Sequence, residues 1–402
     1  MADSPGRRAL LGAAATAALG AGRAAAQDRA PLRIGVLGDL SGPYSGISGE
    51  GTVTAACFAI ADHGGSVLGR PVEVVMADHL NKPDTGLAIA REWLGPGRVS
   101  MITDVTNSAI AFGIQAMLPQ FRALALYTTV GNPDLVGKAC SPLSAVWTRD
   151  LWSSTVAPIH ASLQAGQRRF FLIVADYAFG KTLEADATEA IAKGGGTLSG
   201  VARHPLNSTD FSSYLLSAQA SGADVVMLLN GGQDFVNCYK QAAEFGLPAR
   251  QTIYAPSLFL SDIHALGLSS GAGLRFVQTW YWDLNDATRA WADRFYRERR
   301  VMPGDSHAAT YSAVLSYLKA VTAAGTDDPP TVMKALKAMT VSDMFTSHGV
   351  IRADGRLMFD EYLVQVKAPA QSRRDWDYLT VTGTIPAVDA SRSQEAGGCR
   401  LT

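Results

Sequence analysis

Short hydroxyl or amide side chains and single aromatics recur in this chain immediately after apolar runs. Tyr44-Ser45, Thr106-Asn107-Ser108, Thr128-Thr129 with Gly131, Tyr177 with Phe179, Asn230 with Gln233 and Asp234, Ser257, and Tyr281-Trp282 are the instances. Hydroxyls, amides and the unpaired N–H groups at helix starts donate hydrogen bonds to the anionic end of a guest, and aromatic rings supply flat apolar area for its body. That chemistry is recognition of a small solute. Groups for making or breaking bonds do not assemble in the same way. Gly267-Leu-Ser269-Ser-Gly271 matches the GxSxG elbow, but the elbow needs a strand before its serine and a helix after it. Here Asp262–Leu266 reads as helix and Leu274–Gln278 as strand, so a plain turn is the better reading. An exported serine hydrolase using Ser269, with His307 or His348 downstream, stands as the rival from another class. The seven histidines show no HExxH spacing and no metal site is expected. GxGxxG and GxxxxGK[ST] are both absent, so no cofactor is expected either.

The elements that would position these loops alternate between strand and helix from Leu32 onward, the pattern of parallel sheets with crossover helices. The opening unit, LRIGVLGDLSGPYSGISGEG, reads as strand, glycine-rich loop and helix. In open α/β sheets ligands bind at the carboxyl ends of the strands. A first series runs to Tyr127 and a second begins after Trp147-Thr-Arg-Asp150. Long helical patterns at Thr288–Arg299 and His307–Ala324 come late, placed to return over the first unit. Trp291, Phe295, Tyr311 and Tyr317 stand at helical spacing and are expected in a core.

At 402 residues, 47% hydrophobic and 18% charged, the chain can bury two cores, and its formal charge of −1 with no basic run excludes nucleic acid as an expected partner. Arg7-Arg8, an alanine-rich apolar run and Arg23-Ala-Ala-Ala26 read as an export signal over residues 1–26, by the twin-arginine or general route. No later stretch is apolar for about 18 residues, so the mature chain is not expected to span a membrane. Of four cysteines, Cys57 and Cys238 fall in predicted helices and read as buried thiols. Cys140 and Cys399, in a loop and in the glycine-rich tail, are the pair to join in an oxidising compartment.

Ile34-Gly-Val-Leu-Gly-Asp-Leu-Ser-Gly-Pro43, Ala61-Asp-His-Gly-Gly65 before Leu68-Gly-Arg-Pro71, Asp176-Tyr-Ala-Phe-Gly180, Asp210-Phe-Ser-Ser-Tyr214 and Gln241-Ala-Ala-Glu-Phe-Gly246 occur in one order. In that order they resemble type I periplasmic solute-binding proteins of the leucine/isoleucine/valine-binding family, which serve ABC importers. The resemblance spans Leu32 to about Tyr378. It implies an α/β fold of two Rossmann-like lobes joined by three hinge crossovers, near Trp147–Leu151, Thr279–Trp282 and Gly349–Gly355. Lobe one would comprise 32–148 and 280–348, lobe two 149–279 and 349–385, with 386–402 as a tail. It further implies a soluble periplasmic monomer that presents a closed, solute-loaded form to a membrane permease. By resemblance Asn107 and Ser108 would hold a ligand carboxylate, Thr129 and Gly131 would meet the ligand through backbone groups, and Phe179 would close the cleft. Amino-acid-binding members carry a carboxylate where this chain has Ser257, and a buried ammonium without a counter-charge is strongly unfavourable. An aromatic or small aliphatic carboxylate is therefore the expected solute. An amino acid, with Asp234 substituting for the missing charge, is the alternative, and a sensing subunit would look the same in sequence. The family's short-loop disulfide is absent.

Overall fold

The computed structural model describes Met1 and residues 30–401, so the expected export signal lies, Met1 apart, outside the described residues. The chain first lays down β1 (Leu32–Gly38), α1 (Glu50–Asp62), β2 (Ser66–Val67), β3 (Arg70–Asp78), α2 (Pro83–Leu94), β4 (Val99–Asp104), α3 (Ser108–Phe121), β5 (Leu124–Tyr127) and β6 (Ser144–Val146). These strands form one sheet in the order β2-β3-β1-β4-β5-β6, parallel except for the β2–β3 pair. β1 lies centrally because its run is apolar on both faces, which suits a strand covered by helices on either side. Gly35 within it is required by packing, since a Cβ there would lie 2.6 Å from the Trp93 ring.

A second parallel sheet, ordered β10-β9-β7-β8, follows. It is built from α4 (Leu151–Gln164), β7 (Arg169–Ala175), α5 (Ala178–Lys193), β8 (Thr197–His204), α6 (Ser212–Ala220), β9 (Val225–Leu229), α7 (Gly232–Glu244) and β10 (Thr252–Tyr254). After α8 (Leu260–Leu266), the single turn α9 (Leu268–Gly271) and β11 (Arg275–Gln278), the chain returns to the first sheet with α10 (Asp286–Arg299), α11 (Asp305–Ala324) and α12 (Pro329–Ala338). α11 packs along α1. Tyr311 Oη donates to Asp62 Oδ2 at 2.9 Å, and Arg294 reaches both Asp62 oxygens at 2.8 Å. Trp291, Phe295, Tyr311 and Tyr317 are buried in this layer. The chain ends with β12 (Val350–Ile351), β13 (Leu357–Met358), β14 (Glu361–Val366), β15 (Leu379–Ile385) and α13 (Gln394–Gly397), and β11-β14-β15 form an antiparallel sheet.

Two expectations shift. Residues 350–358 do not join the second lobe. Gly355, at φ 93°, lies so close to Ser144 that a Cβ would stand 2.5 Å from its carbonyl oxygen, and this lets Val146 N donate to Gly355 O at 2.9 Å. The β12–β13 hairpin, a two-stranded sheet of its own, thus abuts β6 at the edge of the first sheet through the single bridge Val146–Arg356. Cys57 is exposed rather than buried, because the face of α1 turned inward is Thr52, Ala55, Ala56, Ala59 and Ile60. Cys238 is buried, and Cys140 is bridged to Cys399.

The crossings between lobes meet at a buried ion pair. Arg149 and Asp305 hydrogen-bond directly with side chains only 1% exposed. Arg149 Nη1 also donates to Leu258 O at 2.7 Å, and Thr279 Oγ1 donates to Asp305 Oδ2 at 3.2 Å, so the first and second crossings share one knot. Around it burial pushes the Asp262 and Glu361 carboxyls up to about 7, against the pull of Arg149 on the first and of Arg356 and Arg149 on the second. Nearby, His307 on α11 accepts a hydrogen bond from Gly304 N at 3.0 Å, and burial lowers its ring to about 4.

R149A or D305A alone is expected to cost about 3–5 kcal/mol in urea unfolding, because either leaves an uncompensated buried charge, whereas R149M/D305L together should cost much less. Two equal single-mutant costs that simply add would contradict this coupling. For His307 the folded value lies below the unfolded one of about 6.5. Its contribution is therefore present above pH ~6.5 and lost as pH falls through about 4. H307Q should show a shallower loss of stability between those pH values than the unaltered chain, measured by chemical denaturation.

Candidate functional site

The carboxyl edges of the two parallel sheets face each other, and loops from both edges line one cavity between them. The β1–α1 loop contributes Tyr44 and Ile47, the β4–α3 loop Thr106, the segment after β5 Thr129, Val130 and Gly131, and the first crossing Thr148, Arg149 and Leu151. From the second lobe come Tyr177 and Phe179 at the start of α5, and Ser257 and Phe259 after β10.

The local folding of each loop follows from its residues. In the β1–α1 loop, Asp39 accepts hydrogen bonds from Gly42 N at 2.7 Å, Tyr44 N at 3.0 Å and Asn81 Nδ2 at 2.6 Å, and so curls the loop that presents Tyr44. Burial raises the Asp39 carboxyl, with Tyr44 N and Gly42 N opposing. At the end of β4, Asp104 and Val105 have φ of 73° and 62°, a left-handed conformation that costs a β-branched residue dearly. The Asp104 carboxylate helps to hold it there. It is fully buried, and its Oδ2 accepts from Ser48 Oγ at 2.6 Å and Thr52 Oγ1 at 2.7 Å. Burial pushes it up to about 6 in spite of those bonds. On the second lobe, α5 begins hard against β7, since a Cβ on Gly180 would collide with Ala175 O. That close approach aims Tyr177 and Phe179 at the cavity.

The two halves touch across it. Tyr44 Oη and Tyr177 Oη are 2.8 Å apart, Gln233 N donates to Pro43 O at 3.2 Å, and Asn132 Nδ2 donates to Thr182 Oγ1 at 3.1 Å. The lobes are therefore closed. Tyr177 and Phe179 stack with ring centroids 5.6 Å apart and planes 25° apart, and the Arg149 guanidinium lies 4.6 Å from the Phe259 ring centroid. Among the described lining residues none is Asp or Glu, and Arg149 is the one cation.

Of the residues expected from sequence, Tyr44, Thr129, Gly131, Tyr177, Phe179 and Ser257 line the cavity together. Asn107 and Ser108 sit just behind it. The Asn107 amide oxygen caps α3 by accepting from Ala109 N at 2.9 Å and Ile110 N at 3.3 Å, and its nitrogen donates to Asn81 Oδ1 at 3.2 Å. The Ser108 hydroxyl is buried without a hydrogen-bond partner, and the buried Thr129 hydroxyl faces the Asp104 carboxylate, which it helps to hold in its charged form. Ser45 and Gln233 line a separate groove at the mouth between the lobes. Asn230 is inside the second lobe, 3.1 Å from His204 Nε2. Asp234 is buried beside it, accepts from Asn207 N at 3.2 Å, and is raised to about 6 by burial. Tyr281 is a correction: its hydroxyl donates to Trp376 O at 3.2 Å and accepts from Leu379 N at 3.4 Å, so it is buried structure and is not among the residues lining the cavity. The third sheet, formed by segments distant in sequence, claimed this ring. Sequence reasoning passed over Ile47, Thr148, Arg149 and Phe259. Arg149 could have been found as the lone cation in the first crossing, and Phe259 as the aromatic two residues beyond Ser257.

Ser269 stands exposed on the turn α9, with a helix rather than a strand before it, which is not an elbow. Among the described residues no cluster of His, Cys, Asp or Glu is placed to hold a metal, and no helix is long and apolar enough to cross a membrane.

The family model described as periplasmic binding protein matches residues 31–373. A periplasmic binding protein from Burkholderia mallei is 39% identical with a TM-score of 0.89, the alignment covering 92% of this chain and 99% of that one. A branched-chain amino acid ABC transporter periplasmic ligand-binding protein from Burkholderia xenovorans LB400 is 38% identical with a TM-score of 0.79, over 92% and 99% of the two chains. At the level of fold alone, an ABC transporter solute-binding protein from R. palustris, solved in complex with benzoate, has a TM-score of 0.79 at 18% identity, over 92% of this chain and all of that one. With two parallel-sheet lobes closed over a walled cavity and a family match across most of its length, this chain belongs to the periplasmic binding proteins, the non-enzymatic solute-binding components of ABC importers.

Proposed function

We propose that this protein delivers a small aromatic carboxylate, held in the cavity between its lobes, to the permease of an ABC importer of the branched-chain amino-acid type. The observation that carries the reading is the composition of the wall. Four aromatic residues, Tyr44, Tyr177, Phe179 and Phe259, face a space whose described lining includes no carboxylate and one guanidinium. A zwitterionic amino acid would have to bury its ammonium there without a counter-charge, which costs several kcal/mol. A ring with one anionic end would lie against that aromatic wall, with its carboxylate toward the Arg149 guanidinium and the Thr148 and Ser257 hydroxyls that line the same space. Benzoate in the R. palustris protein of like fold supports this choice of class. Asp234, the substitute counter-charge for an amino acid, is outside the wall and already engaged by Asn207. We further read residues 1–26 as the signal that exports the chain as a soluble monomer.

Titration of intrinsic tryptophan fluorescence with benzoate, 4-hydroxybenzoate and leucine is the direct test. Saturable responses to the aromatic acids and none to leucine are expected, and a response confined to leucine would sink the reading. F179A and Y177A should each weaken the aromatic acid by about 10-fold or more, as loss of a buried ring at a binding surface does. S257D should weaken it by at least a similar factor through like-charge repulsion, with far-UV circular dichroism checking that the variant is folded.

A further inference from the structure

The polypeptide crosses between the lobes three times, and its last residues make a fourth, covalently closed connection. From β15, in the antiparallel sheet beside the second lobe, residues 386–401 run back over the first crossing and end on the first lobe, where Cys399 is bridged to Cys140. Ser153 Oγ donates to Ala390 O at 2.7 Å, Arg392 N donates to Asp150 Oδ2 at 2.9 Å, and Arg352 Nη2 donates to Arg392 O at 3.0 Å, so the strap is seated along its length.

The Arg392 side chain enters the seam between lobes. Its guanidinium lies 3.4 Å from Pro133 O and 3.8 Å from Asp134 on the first lobe, and 4.0 Å from Asp186 on α5 of the second. It is 13% exposed, and the two carboxylates 14% and 12%. Asp186 Oδ2 has no hydrogen-bond partner of its own. Asp186 stands one helical turn beyond Thr182, which takes the interlobe bond from Asn132, and α5 is also the helix that carries Phe179 into the cavity. Asp134 is also held by Lys138 Nζ at 3.0 Å, whereas burial already raises the Asp186 carboxyl to about 7 against the pull of Arg392, so without the guanidinium that carboxyl is left buried with no partner across the seam and α5 loses its tie to the first lobe there.

We propose that Arg392, held in place by the Cys140–Cys399 strap, is an affinity-determining residue outside the cavity, which latches α5 to the first lobe and biases the solute-free protein toward its closed form. A hinge protein whose binding-competent form is populated in advance binds more tightly in proportion to that population. The strap thus sets affinity without touching the solute.

The two-lobed hinge is assumed here, but the solute class is not, and the readout needs no solute. Small-angle X-ray scattering of the solute-free protein gives the radius of gyration, and far-UV circular dichroism reports folding. R392A is expected to raise the radius of gyration with ellipticity unchanged, R392K to restore it most of the way, and C399S to give an intermediate rise. Should R392A lose ellipticity, D186A decides by the same two readings. Radii equal to that of the unaltered protein in folded R392A or D186A would overturn the latch, whatever the fluorescence titrations show about benzoate.

Discussion

A guanidinium and a carboxylate, each almost wholly removed from water, meet where this chain passes from one lobe to the other. Taking Arg149 and Asp305 out of solvent is costly, and the cost is offset only because each has further partners: Leu258 O for the one, Thr279 Oγ1 for the other. Leu258 lies in the second lobe, between β10 and α8, whereas Thr279 opens the second crossing. The satisfaction of two buried charges therefore demands that the first crossing, the second crossing and the start of α11 come together in a single arrangement. A core of interchangeable apolar side chains would tolerate sliding, whereas this knot fixes the pivot about which the lobes move. The same guanidinium lines the cavity and lies against Phe259, so pivot and pocket share an atom group.

Buried carboxylates do much of the shaping around the cavity without entering it. Asp39 curls one loop by accepting from backbone and amide donors, and Asp104 supports a left-handed turn from below. Asp39, and Asp104 through its Oδ2, take their hydrogen bonds from the protein itself. The wall is left apolar, aromatic and hydroxylic, a surface that holds a ring by its faces.

Much of this was legible in the sequence, and the failures are instructive. Strand, loop and helix at Leu32–Asp62 follow from an unbroken apolar run and a glycine-rich loop, and six of the expected loop residues do converge on one cavity. Tyr281 misled because a loop aromatic looks the same whether it faces a cavity or a sheet, and here β14 and β15, some 80 residues later, supplied the cover. Cys57 misled because an apolar neighbourhood in α1 does not say which side turns inward; the alanines do. Arg149 and Phe259 escaped notice because their meaning lies in contacts with Asp305 and Tyr44, neither of which is near in sequence.

The return of α11 has a consequence for dissection. Sixteen of its twenty residues are buried, and it lies along α1, which is laid down some 250 positions earlier. A fragment cut at the end of β6 would keep an entire sheet in correct strand order and still expose the apolar flank that this late helix covers. Such an excised piece would self-associate rather than stand as an autonomous unit, so the natural seams of this molecule are spatial and no single cut in the polypeptide follows them.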